Sequence, residues 1–240
     1  VDESNFDLDN RDVNGATFWR MYGTVVRDCE EARTALADVV ASTEAIAAAE
    51  GAIEVMEVLA FSFLVDLFGD VPYSEALTET NTPVYDDDAA IYSDLLARLD
   101  AAAMNLSGTS AFGSSDIIYG GDAASWKMAA HSLMLRLAIR MIDADPTNAQ
   151  MYGEKAIAGG VFASSADDMR LFYSSAPPHT HPMWETLVQS GRTDYIASNT
   201  LGDVMNTNND PRRAVFFKNL DSVGNVTAAP HGLQSDYYQF

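Results

Sequence analysis

Residues 52–72 read AIEVMEVLAFSFLVDLFGDVP. From Ala52 to Phe68 apolar side chains fall on nearly every side of a 3.6-residue period, with Val55, Met56, Val58, Leu59, Phe61, Leu64 and Leu67 spread around the helix. A helix apolar all round belongs in a core. Gly69 can take the left-handed backbone that ends a helix, and Pro72 prevents its resumption. The stretch therefore predicts a buried central helix with a sharp C-terminal stop. Other helices must pack around it.

Working outward, Trp19, Tyr22, Val26, Cys29, Arg33, Leu36 and Val40 recur at spacings of three and four, which predicts an earlier helix from Thr17. The run EEARTALADVVASTEAIAAAE continues it in strong helix formers, with Gly51 as the expected break. Downstream, Asp86-Asp87-Asp88 precedes Ile91, Leu95, Leu99, Ala102 and Leu106, a third helix whose start is suited to acidic caps. A fourth is expected over about 123–142, with Trp126, Ala130, Leu133, Leu137 and Met141 on one face, and a fifth over about 147–158 after Asp145-Pro146. Beyond Gly160 periodicity fades. Residues 163–195 mix Ser, Pro, His and aromatics, a sixth helix is expected over 198–206, and the rest reads as loop. This organisation is a helical-repeat scaffold over 1–160 and an irregular, loop-rich part over 161–240. The fold class is all-α.

The 240 residues carry 35 acidic and 14 basic side chains, a net charge of −21, and most of the acidity lies before residue 121. Such a chain lacks the clustered cations that phosphate backbones require, so nucleic acid is excluded as a partner, as is docking on anionic lipid. The 48% hydrophobic content suffices for a core. One cysteine, Cys29, allows no internal disulfide, and no apolar run approaches the roughly 20 residues of a membrane span.

Four segments add a resemblance: Asp66-Leu-Phe-Gly-Asp-Val-Pro-Tyr-Ser-Glu-Ala-Leu77 with Thr82-Pro-Val-Tyr-Asp86; Asp116-Ile-Ile-Tyr-Gly-Gly-Asp122 with Trp126-Lys127; Ser132-Leu-Met-Leu-Arg136-Leu-Ala-Ile-Arg140; and Asn209-Asp210-Pro211-Arg212. In order and spacing they resemble the SusD/RagB family of outer-membrane nutrient-binding lipoproteins, in its second SusD-like branch. The resemblance implies tetratricopeptide-like helix pairs forming a short right-handed solenoid. It implies a lipid-anchored, extracellular-facing outer-membrane component that captures oligosaccharides, or peptides, and passes them to a SusC-like TonB-dependent transporter. It implies no catalysis and no cofactor. Family members are about twice as long, so this chain is expected to lack the lipid-modified N-terminal Cys and most of the C-terminal half. His131 stands where the family more often has Asn, and Asp28 and Cys29 stand where its first helix often has Asn.

For the residues that carry the resemblance the expected roles are mostly structural. Arg136 and Arg140, four apart, are expected to pair with carboxylates such as Asp66, Asp70 or Asp122. Asp66 and Asp70 are expected to hold loop N–H groups, and Trp126 to anchor helix packing. The Asp86–Asp88 run lacks the Gly and terminal acid of a calcium loop, so capping is the expected role. His179 and His181 are too few for a zinc site, and no G-x-S-x-G marks a nucleophile. What remains is aromatic chemistry: exposed rings cover the C–H face of a sugar while polar neighbours bond its hydroxyls. Candidates are Arg11, Asn14 and Trp19 at the entry to the first helix, and Tyr173, His181 and Trp184, with Phe172, in the later loop. Trp19 fits the first helix's apolar stripe, so the core is its default place, while Trp184 sits among polar residues and prolines. The competing reading is a helical-repeat module that binds proteins and has no small-molecule site.

Overall fold

In a computed structural model of the protein, residues 17–191, 196–218 and 220–229 are described. The chain divides into two compact units between Leu171 and Phe172. The first unit is a stack of helices. Its first rod, α1, runs through Phe18–Arg20, a π-helical stretch Met21–Val26 and Arg27–Leu36. Tyr22, Val26, Cys29 and Leu36 of the expected stripe are buried. Its ends are not. Phe18 takes the inward position at the start, packing edge-on against Phe68 at 5.2 Å and tilted against Tyr22 at 4.9 Å, which leaves Trp19 69% exposed. Val40 lies beyond the helix and is fully exposed.

The break between the first two helices also differs from expectation. α1 stops at Leu36, and α2 runs unbroken over Thr43–Phe68, straight through Gly51. The interruption falls at Val39-Val40, a β-branched pair with weak helix preference, and Ser42 restarts the helix by accepting the Ala45 N–H at 3.2 Å. Gly51 serves packing. A Cβ there would lie 2.8 Å from Leu106 Cγ and 3.2 Å from the Ala102 carbonyl, so its absence lets the next helix in the chain approach closely. At the far end Gly69, at φ 71°, caps α2 as its sequence predicts.

The segment 71–86 returns to α3 (Asp88–Asn105) as a pinned loop. Asp86 accepts N–H bonds from Tyr73 and Ser74 at 2.9 and 2.8 Å, and these bonds hold its carboxyl below the usual range. Asp87 caps α3 through Ala90 N–H at 3.0 Å, and Asp70 accepts the Asp88 N–H at 3.1 Å. Of the acidic triplet, Asp87 caps the helix as expected, whereas Asp86 pins the loop and Asp88 supplies a backbone donor to Asp70. Asp122 and Asp145 cap α4 (Ala123–Arg140) and α5 (Pro146–Gly159) in the same way, with Pro146 at the first helical position. Val55, Phe61 and Leu64 of α2 meet Leu95 and Leu99 of α3 and Met134 and Leu137 of α4 in one core.

Motif residues fall on the contacts between these helices. Trp126 is 4% exposed. Its Nε1–H donates to Asp116 at 2.6 Å and its ring stands edge-on to Tyr119 at 5.3 Å. Arg140 pairs with Asp66, which also accepts the Tyr92 hydroxyl, so Asp66 serves side chains rather than loop N–H groups. Arg136 does not join it; its guanidinium lies 5.3 Å from the centre of the Phe63 ring. The long helix also carries charge into the stack. Glu54 and Glu57, one turn apart on α2, receive Arg33 from α1 and Arg98 from α3.

His131 on α4 is buried, and its Nδ1 lies 3.2 Å from the Gly160 carbonyl; an oxygen can only accept, so Nδ1 carries the proton. Gly159 lies directly under that ring. Ala favours a helix over Gly by about 1 kcal/mol, yet a Cβ here would collide with the imidazole. Gly159→Ala should therefore destabilise, by about 1–3 kcal/mol, in urea unfolding. In a His131→Ala background the same change should become neutral or favourable, and equal effects in both backgrounds would refute the contact.

The second unit contains α6, made of Pro182–Trp184 and a π-helical Glu185–Gln189, then α7 (Asn199–Thr207) and a short α8 (Arg213–Phe216). Helix α6 stands where aperiodic loop is expected, and α8 lies in the stretch read as loop. Strands β1 (Ala197–Ser198) and β2 (Ala228–Ala229) pair in parallel, and the Asn206 side chain exchanges two hydrogen bonds with the Val226 backbone beside them. In the Asn209–Arg212 motif, Asn209 turns the chain at φ 47° and Arg212 grips Asp210, holding that carboxyl at about 2. Two-residue strands do not alter the class: the protein is all-α.

Candidate functional site

The loop from Phe172 to α6 is closed on itself. The Ser174 N–H donates to the His179 carbonyl at 2.7 Å, and this bond draws the two limbs together. Tyr173 and His181 then meet edge-to-face at the neck, their centroids 4.8 Å apart. Tyr173 remains 46% exposed and Phe172 79% exposed.

His181 has a second task. Its Nδ1 accepts the Met183 N–H at 3.1 Å, so it caps α6 while Pro182 opens the helix. That bond occupies one ring nitrogen and leaves Nε2 as the donor on the ring's other side. Behind it the buried Thr180 hydroxyl donates to Glu185 at 3.0 Å, fixing a carboxylate one turn into α6. Trp184 follows His181 by three residues and is half-buried. Phe172 and Tyr173 thus expose ring area, His181 keeps a ring N–H to donate, and Glu185 holds an acceptor fixed by Thr180. Flat apolar area with a few fixed polar groups is the composition that sugar rings require.

Of the residues singled out from sequence, Tyr173 and His181 are brought into contact, and Trp184 lies on the helix that His181 caps. Trp19 is in the other unit, exposed on α1. Arg11 and Asn14 lie outside the described residues. Sequence reasoning missed Thr180 and Glu185. The signal was present: Pro182 after a side chain able to cap marks a helix start, which would have placed Glu185 in its first turns. Among the described residues one group of carboxylates, Asp70, Asp87 and Asp88, has metal-compatible spacing, and two of its members already serve backbone N–H groups.

A family model described as "Starch-binding associating with outer membrane" matches residues 1–240, and the chain belongs to this SusD-like family. Among solved structures, a chitin-binding protein is 26% identical with a TM-score of 0.69, covering 87% of this chain and 44% of its own. A chitin-binding SusD homolog from Flavobacterium johnsoniae is 24% identical with a TM-score of 0.73, covering 88% of this chain and 43% of its own. A SusD homolog from Bacteroides uniformis is 22% identical with a TM-score of 0.77, covering 95% and 47%. The chain spans less than half the length of these relatives. The search of curated proteins gave no match. No helix among the described residues is long and apolar enough to cross a membrane.

Proposed function

We propose that the protein is the substrate-capture component of an outer-membrane uptake complex. It binds an oligosaccharide by ring stacking and hydrogen bonds, carries out no bond-breaking step, and delivers its cargo to a SusC-like TonB-dependent barrel. A lipid anchor holds it to the outer face of the membrane. The observation that carries the reading is the Tyr173–His181 neck with exposed Phe172 beside it, on a chain whose family description names starch and whose relatives include chitin-binding proteins. Those names favour sugar over peptide as the cargo.

Calorimetry with chito- and malto-oligosaccharides tests this. One of the two series should bind saturably. Removing a ring that covers part of a sugar forfeits about 1–1.5 kcal/mol, so Tyr173→Ala and Trp184→Ala should each weaken binding about tenfold. Wild-type affinity in both variants would remove the loop from the site. Release of shortened sugars on prolonged incubation would overturn the non-catalytic reading.

A further inference from the structure

The helix starts of this chain are not all made alike. Ser42, Asp87, Asp122, Asp145 and Ser198 cap α2, α3, α4, α5 and α7. Each offers a hydroxyl or carboxyl oxygen, which keeps acceptor capacity whether or not it carries a proton. Helix α6 uses an imidazole instead: His181 Nδ1 accepts the Met183 N–H at 3.1 Å. Only the neutral ring can do this, because both nitrogens of an imidazolium are donors. Imidazole is also the side chain whose charge ordinarily changes between pH 5 and 8. A cation there meets a second penalty, since a helix N-terminus carries partial positive charge. His181 is exposed, so solvent protons reach it.

Helix α6 has few other anchors. Its Pro182–Trp184 turn passes into the π-helical Glu185–Gln189, and no side chain in either piece is buried. A helix this short is marginal without tertiary packing, so the cap at its start carries a large share of its stability. Trp184 stands on this helix, and so does Glu185, placed by the Thr180 hydroxyl at 3.0 Å. The titratable groups around the His181 ring are the Tyr173 phenol, edge-to-face at 4.8 Å, His179 two residues earlier on the same limb, and the Glu185 carboxyl in the first turns of α6. We propose that His181 is a proton-operated latch on the loop site: acid withdraws the cap, loosens the start of α6 and lowers the affinity for sugar. This latch rests on the capture function proposed for the loop. Linkage requires the reverse as well, so sugar binding should expel a proton from His181 wherever the ring is partly charged.

The cap is tested first on the free chain. Between about pH 7.5 and about pH 5.5, nitrogen-15 NMR should show the His181 ring and the Met183 amide titrating together, with the amide losing protection from exchange. A Met183 amide that does not follow His181 would overturn the proposal. Calorimetry with chitotriose and maltotriose then reads the site. The saccharide that binds at the higher pH should bind about fivefold more weakly at the lower one, the factor that a lost cap is worth, and its binding should release protons to the buffer. His181→Asn and His181→Ser keep an oxygen acceptor at the cap and remove the ionisation. Whatever their affinity at neutral pH, it should be the same at both pH values. A pH dependence as large in both variants as in the wild type, or none in the wild type, would refute the latch. If neither saccharide binds at either pH, the capture function falls, and the NMR titration of the free chain still decides whether acid opens the cap.

Discussion

Replacing Arg98 with Ala should destabilise the protein by about 3–5 kcal/mol, the cost of removing one partner from a buried ion network. The reasoning runs from burial. Glu57 is 8% exposed and Glu54 shares its helix face, while Arg98 bonds both and the Tyr73 hydroxyl. Removing the guanidinium leaves two acids with Arg33 alone. Arg98→Lys should recover only part of the loss, since an ammonium cannot reproduce the planar fork that spans two carboxylates and a phenol. The effect should also depend on pH. Burial pushes Glu54 upward, but bonds from Arg98 and Arg33 outweigh it and leave its carboxyl below the ordinary value. A group with a lowered folded pKa stabilises fully above its unfolded pKa, and loses that contribution as pH falls through the folded one. The gap between wild type and Arg98→Ala should therefore narrow on acidification below the ordinary glutamate range. Urea unfolding at neutral pH and near pH 3 measures it. A neutral-pH difference below about 1 kcal/mol would show the pair to be no stronger than an exposed one.

Trp126→Ala should cost about 3–5 kcal/mol, the range for emptying a large buried aromatic site. Two contributions add: the lost packing against Tyr119 and the lost Nε1–H bond to Asp116. Trp126→Phe separates them. It keeps most of the ring and deletes the donor, so about 1–3 kcal/mol should remain. Asp116 also accepts from the N–H groups of Ile118, Tyr119 and Gly121. The indole is thus one of four donors that order the turn leading into α4. Chemical denaturation followed by circular dichroism avoids interference from the other two tryptophans. Equal stabilities for Trp126→Phe and wild type would show that the hydrogen bond adds nothing net.

The scaffold was largely legible because its signals are local. The apolar surface of 52–68, the Gly69 stop and the aspartates ahead of α3, α4 and α5 each act within a turn of where they stand. Gly51 misled because a helix-interior glycine and a helix-ending glycine look alike in one dimension. What distinguishes them is Leu106, fifty-five residues away. Trp19 misled for a related reason: Phe18 competes for the same inward position, and only the arrival of Phe68 decides between them. The loop site was legible in composition alone. Its contents, Tyr173, His181 and Trp184, could be named, but the neck depends on a backbone bond between Ser174 and His179 that no side-chain pattern encodes. The ion network was missed altogether. A single acid or base on an otherwise apolar helix face gives no indication of its partner.

That network restricts where the chain can change length. Glu54 and Glu57 receive one arginine from the helix before and one from the helix after. One residue inserted anywhere between Arg33 and the end of α1 would leave the pair intact, since the slack falls into the 37–42 connection. One residue inserted within α2 between Glu54 and Glu57, or within α3 between the cap and Arg98, turns a side chain by about 100° and swings a charge into the hydrocarbon core. Insertions and deletions in related chains should accordingly collect in the connections at 37–42 and 77–83 and avoid the middle turns of α2 and the first half of α3.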